Sequence, residues 1–191
     1  MKEPSTSVTI LDRISDTAGA FAALLTFVMV LVAAFNALAR YAGPLAGLHV
    51  SSNAYLELQW YLFSAVFLLG GAATLRADAH VRVDVFYRRL SRRRRLVIDF
   101  LGSLFLLLPF SIFMIIVSWP SVANSWSVLE GSPDPDGLPR YPVKTLVPLG
   151  FVLLLLQGIS IAVSSIKALR NDFSHELEPP PRQDEGLGHA R

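Results

Sequence analysis

No cysteine occurs anywhere in the chain, which excludes a disulfide framework, a thiolate metal site and any dithiol redox chemistry. Charge is missing as well, and from particular places. Four apolar stretches, Ala18 to Ala39, Trp60 to Leu75, Phe100 to Ser118 and Leu146 to Ile166, contain no Asp, Glu, Lys, Arg or His. The four histidines, His49, His80, His175 and His189, all fall outside them, so a membrane cytochrome with axial haem ligands inside its helices is excluded. A pump or carrier that works alone needs ionisable groups at membrane depth, because only those bind an ion or relay a proton there. The chain is therefore read as a non-enzymatic partner of another protein, with no cofactor or metal of its own.

What is present is hydrophobic length. Of the 191 residues, 52% are hydrophobic and only 17% charged. The first stretch has 22 residues, which as a helix covers roughly 33 Å, enough for a hydrocarbon core about 30 Å thick. The second reaches spanning length if its helix starts near Asn53, which brings Glu57 into its first turns at the membrane surface. The expected fold is an all-α integral membrane protein with four transmembrane helices, at about 18–39, 54–75, 97–118 and 146–167. Residues 1–17 form a cytoplasmic N-terminus, 18–170 the membrane domain and 171–191 a disordered cytoplasmic tail containing Pro179-Pro180-Pro181. Ala37-Leu38-Ala39 resembles a signal cleavage site, but the apolar run before it is too long for a signal peptide, and the first helix is expected to be retained.

Orientation follows from the basic residues. All but Arg40, Arg140 and Lys144 lie before the first span, between the second and third, or after the fourth. The positive-inside rule puts those segments, and both termini, in the cytoplasm. Trp60, Trp119, Trp126, Tyr41, Tyr55, Tyr61 and Tyr141 then gather near the outer face, as interfacial aromatic anchors do. Arg92 to Arg95 read as a topology determinant touching anionic lipid headgroups, at about 1 kcal/mol per residue, and not as a nucleic-acid site. In the second loop, Asp84 to Leu90 could place apolar and basic residues on opposite faces of a short interfacial helix. The third loop, Trp119 to Thr145, carries five prolines and is expected to be ordered but non-helical.

A few residues stand out as candidates for structural or partner contact. Asn36 and Arg40 share one face at the outer end of the first helix, and Arg40 either pairs with Glu57 or extends into water. Gly70 and Gly71, with Ala72 and Ala73, let a neighbouring helix approach closely. His80, Arg82 and Asp84 alternate with valines and read as a docking element, since no second ionisable cluster exists for proton relay. Gln157, near the middle of the fourth span, is expected to bond another helix. Pro109 is expected to bend the third span.

The residues Asn36 to Tyr41, Glu57 with Trp60, Leu69 to Ala72, His80 to Asp84 and Pro142 to Gly150, in this order and spacing, resemble the small membrane subunit (DctQ type) of TRAP (tripartite ATP-independent periplasmic) transporters. The resemblance covers roughly Asp12 to Arg170. It implies a multi-pass protein of the bacterial inner membrane that scaffolds a large DctM-type subunit and helps dock a periplasmic DctP-type binding protein. In such a system organic acids are taken up by sodium-coupled symport, and sodium and substrate are held by the partner subunit. The competing readings are a stand-alone four-helix membrane adaptor and a small proton-coupled carrier.

The lack of native cysteine makes the orientation directly testable. A membrane-impermeant maleimide added to intact cells is expected to label Ser51→Cys and Ser132→Cys, and to reach Ser91→Cys only after permeabilisation. Labelling of Ser91→Cys from outside would reverse the topology.

Overall fold

The structure is a computed structural model that describes residues 6–43, 45, 47, 52–77 and 90–176. Among these residues it is all helical: α1 (Thr6–Ala42), α2 (Asn53–Arg76), α3 (Arg92–Ser127) and α4 (Tyr141–Glu176). Each is long and apolar enough to cross a membrane. The N-terminal end of α1, the C-terminal end of α2 and the C-terminal half of α4 meet at one end of the bundle.

Three helices run past their apolar stretches. No proline or glycine interrupts the sequence between Ser5 and Ala18, so the backbone ladder of α1 simply continues into the polar segment, starting at Thr6. The expected non-helical loop beginning at Trp119 is corrected in the same way, because α3 continues through Pro120 to Ser127. It then ends in a two-bond C-terminal cap. Glu130 N–H bonds the Ser125 carbonyl at 3.0 Å and Leu129 N–H bonds Trp126 at 3.3 Å. Leu129, at φ 45°, takes the left-handed position where glycine is usual.

Pro109 acts through a register shift. Having no N–H, it cannot continue the ladder, and the turn just before it, Ser103–Leu107, is π-helical. The Leu108 N–H reaches back five residues to Ser103, so the mismatch is absorbed before the proline. At the start of α2, Ser52 is the cap, its hydroxyl accepting from Ala54 N–H at 3.2 Å. Asn53 is left free to bond elsewhere.

The interior is made of small and hydroxyl side chains. Its buried hydrophobic residues are Ala22, Ala65, Leu69, Ala72, Val122 and Ala162, while Phe27, Phe67 and Leu106 point outward and are mostly exposed. This inversion is what lipid demands. Hydrocarbon surrounds large apolar groups as well as a core does, so helices associate by close packing of small residues. On α1 and the residue that follows it, buried Ser15, Ala22, Asn36 and Gly43, with half-buried Met29, recur every seven positions. A seven-residue period keeps one stripe of a helix against its neighbour along the whole length.

Helix α4 is central, packing on the other three, and α1 packs most extensively on α2. Two glycines of α4 allow this. A Cβ at Gly150 would lie 2.9 Å from both the Cβ and the carbonyl oxygen of Leu68 on α2, and one at Gly158 would lie 2.9 Å from Leu107 on α3. On the α1–α2 seam, a Cβ at Gly19 would sit 2.6 Å from that of Ala73. By contrast α1 and α3 stay apart. Between them runs an apolar groove of about 850 Å³, floored by Gly19, Ala22, Gly70 and Gly71 and walled by Phe67, Phe110 and Phe151.

These close approaches make a graded prediction. Gly150→Ala meets backbone, which cannot rotate away, and is expected to destabilise the solubilised protein by about 1–3 kcal/mol. Gly19→Ala should have a similar effect, since the Ala73 Cβ it meets at 2.6 Å is fixed to its own backbone. Gly102→Ala, with nothing within 4 Å of the added methyl, should be neutral or mildly stabilising. Thermal melting in one detergent, measured side by side, gives the order.

Candidate functional site: polar layers at the two ends of the bundle

Ionisable residues gather in two layers, one at each end of the α1–α2 hairpin. At the end expected from the charges to face the cytoplasm, called inner, Arg76 closes α2 and forms ion pairs with Asp12 and Asp16 of α1. Its guanidinium also donates to the Asp12 main-chain carbonyl at 2.9 Å. Ser160 of α4 donates to the Asp12 carboxylate at 2.7 Å, and Ser15 donates to Gln157 Oε1 at 2.6 Å. Ser15 and Gln157 are 1% and 2% exposed. Three helices are thereby tied together, by bonds worth on average about 0.6 kcal/mol each in a membrane setting.

Gln157 bonds another helix, meeting Ser15 of α1 beside the polar end of α2. From this layer α4 continues, from Ser160 to Arg170 alone by about 15 Å. Asp12 and Asp16 were not singled out from the sequence. The available signal was their i, i+4 spacing on one helix face, at the same predicted membrane side as Arg76.

The layer at the opposite end, expected to face outward and called outer, is built around the 128–140 loop. Lys144 on α4 pairs with Glu130, which also accepts the Ser125 hydroxyl at 2.6 Å. Arg140 N–H bonds the Glu130 carbonyl at 2.8 Å, closing the loop on itself. The indole of Trp126 donates to Thr145 at 2.8 Å and packs on Tyr141 with ring centres 4.5 Å apart. On the α2 side, Glu57 accepts from the Ser132 hydroxyl and the Leu138 N–H. Asn53 donates to the Pro135 carbonyl at 3.1 Å, and the Tyr61 hydroxyl lies 3.1 Å from the carbonyls of Leu138 and Pro139.

The sequence candidates separate accordingly. Glu57 is 3% exposed and does not pair with Arg40, because the loop occupies its carboxylate. Arg40 is exposed and forms no ion pair among the described residues. Asn36 is buried on the α1 stripe, its Oδ1 without a hydrogen-bond partner among the described residues. Trp60 remains partly exposed, its ring against Tyr61 at 4.2 Å. Gly70 and Gly71 touch this chain's own helices, at Ala22 and Leu154, and also floor the groove between α1 and α3. His80, Arg82 and Asp84, with the proposed interfacial helix of the second loop, lie outside the described residues.

With the two layers placed, comparison with known families decides the assignment. The sequence model described as "Tripartite ATP-independent periplasmic transporters, DctQ component" matches residues 29–168, well over half of the chain. The chain belongs to the DctQ family. No curated protein matches it. A DctQ component is a membrane subunit of a transporter and not an enzyme, and four spanning-type helices agree with a multi-pass membrane protein. The matched region of this DctQ chain contains the whole outer layer and most of α4, but begins beyond Asp12, Ser15 and Asp16.

Glu130 gives the outer layer a pH dependence. Its carboxyl is held below the ordinary value of 4.5, first by the hydrogen bond from Lys144 and then by that from Ser125, with desolvation opposing them. A depressed folded value means the stabilisation is complete above the ordinary carboxyl range and is lost as pH falls from there through the lower folded value. In Glu130→Gln that component of acid sensitivity should vanish. The thermal midpoint, followed from about pH 6 downward, is expected to fall less steeply in the variant than in the parent.

Proposed function

We propose that this DctQ subunit is the static member of a sodium-coupled TRAP transporter for organic acids in the bacterial inner membrane, with both termini in the cytoplasm. It braces a DctM-type large subunit, which carries the substrate and sodium sites, and helps a DctP-type periplasmic binding protein dock on the outer face. The observation that carries this reading is the confinement of ionisable side chains to the two ends of the bundle. Between them the described helices offer small apolar groups and hydroxyls bonded to their own backbone, as in Thr26 to Ala22, Ser64 to Trp60 and Thr74 to Gly70. Such a surface can pack but cannot conduct.

The outer face supports the docking part. Its loop is tied at both sides, to α2 and to α4, and so is offered to the exterior as a formed surface. Orientation rests on the sign of the charges, the basic Arg92 to Arg95 run lying on the same side as both termini. Sodium coupling and the organic-acid substrate rest on the family alone.

Purification of the tagged chain in mild detergent is expected to recover the large subunit stoichiometrically. A chain that is reproducibly isolated alone, yet supports uptake in liposomes by itself, would sink the reading.

A further inference from the structure

Asn53, Glu57 and Tyr61 stand four residues apart on one face of α2, and all three bond the same external loop. Their partners lie 75 to 82 residues away along the chain. Asn53 and Tyr61 reach main-chain carbonyls, which any loop sequence would offer. Glu57 differs, since both of its oxygens are engaged, one by a side-chain hydroxyl and one by a backbone N–H. The Ser132 hydroxyl is itself oriented, accepting from Asp134 N–H at 3.1 Å while it donates to Glu57. Gly137 seals the arrangement, because a Cβ there would lie 2.4 Å from Ser132 and 2.8 Å from Glu57 Oε2.

We propose that Glu57 is a positioning residue for docking, acting through the loop and not by touching the partner. This deepens, and rests on, the reading of the chain as a docking subunit for a soluble binding protein. At 3% exposure Glu57 has no surface to offer. It sets the conformation of residues 132–138, of which Pro133 to Asp136 are exposed. A loop ordered during folding spares the encounter the entropy of ordering it, so an incoming protein meets a preformed surface. The requirement is for an acceptor at the Leu138 N–H and a hydrogen-bonding partner for the Ser132 hydroxyl, which can donate or accept. Glutamine meets it, accepting the Leu138 N–H while its amide donates to Ser132; leucine does neither.

The test uses the complete transporter complex in nanodiscs, titrated with its own soluble binding protein carrying a fluorophore. Glu57→Leu is expected to raise the half-saturating concentration about tenfold while still copurifying with the large subunit, and to speed amide exchange across 130–138. Glu57→Gln should stay within about twofold of the parent. Unchanged half-saturation in Glu57→Leu overturns the proposal, as does equal loss in Glu57→Gln, which would mean that the charge itself makes the contact. If Glu57→Leu fails to assemble, Gly137→Ala decides, since it disturbs the same clamp with Glu57 in place. Its assembled complex must show the raised half-saturation, and a normal value refutes the idea. A parent complex that binds no soluble protein overturns the docking reading itself, whereas a parent that binds normally alongside an unaffected Glu57→Leu overturns only the role of Glu57.

Discussion

The structure depends on helix backbones coming close together in a solvent that gives them no hydrophobic reason to do so. In hydrocarbon a leucine gains little by turning inward, and association falls to dispersion contacts between flat surfaces and to a few hydrogen bonds. Gly19 against Ala73, Gly150 against Leu68 and Gly158 against Leu107 are the places where this approach is tightest. The phenylalanines are correspondingly displaced to the periphery. Once the seams are flat, the polar layers can reach across them. Ser15 finds Gln157 because α1 and α4 lie near each other, and short side chains such as serine suffice as bolts.

Division of labour follows from the same constraint. Strong polar interactions are affordable where water or headgroups share the burden of solvation, and both layers sit at such ends. The inner layer joins α1, α2 and α4 side by side. The outer layer does something different, for it fixes a loop and not a helix pair. The loop's cap at Leu129, its closure through Glu130 and Arg140, and its attachment to Glu57 together turn thirteen residues without regular structure into a defined object.

Much of the fold was legible before any coordinates. Runs without charge, their lengths and the sign of the flanking residues suffice for four helices, because burial of an unpaired charge in lipid is heavily penalised. Helix ends were not legible in this way. The end of an apolar run marks where the solvent changes, which is not where hydrogen bonding must stop, so α1 and α3 continue through Asp12 and Pro120. The local cap at Ser52 could be anticipated from its type and place. Pairings across the chain could not. Glu57 had one visible basic candidate in Arg40, yet its partners are a serine hydroxyl and a backbone N–H, groups too common to be read as a match. Gln157 was recognisable as needing a partner, but which residue supplies it, Ser15, depends on how α1 and α4 align, a tertiary property.

The separation of α1 from α3 alters the kind of object this protein is. A closed four-helix bundle is a post, round in section, that shows a neighbour one or two helices at a time. Here α4 packs on the other three helices, while α1 and α3 line a shared groove instead of closing on each other, so the bundle is open along one side. A neighbour approaching from there meets two helices and the seam between them at once.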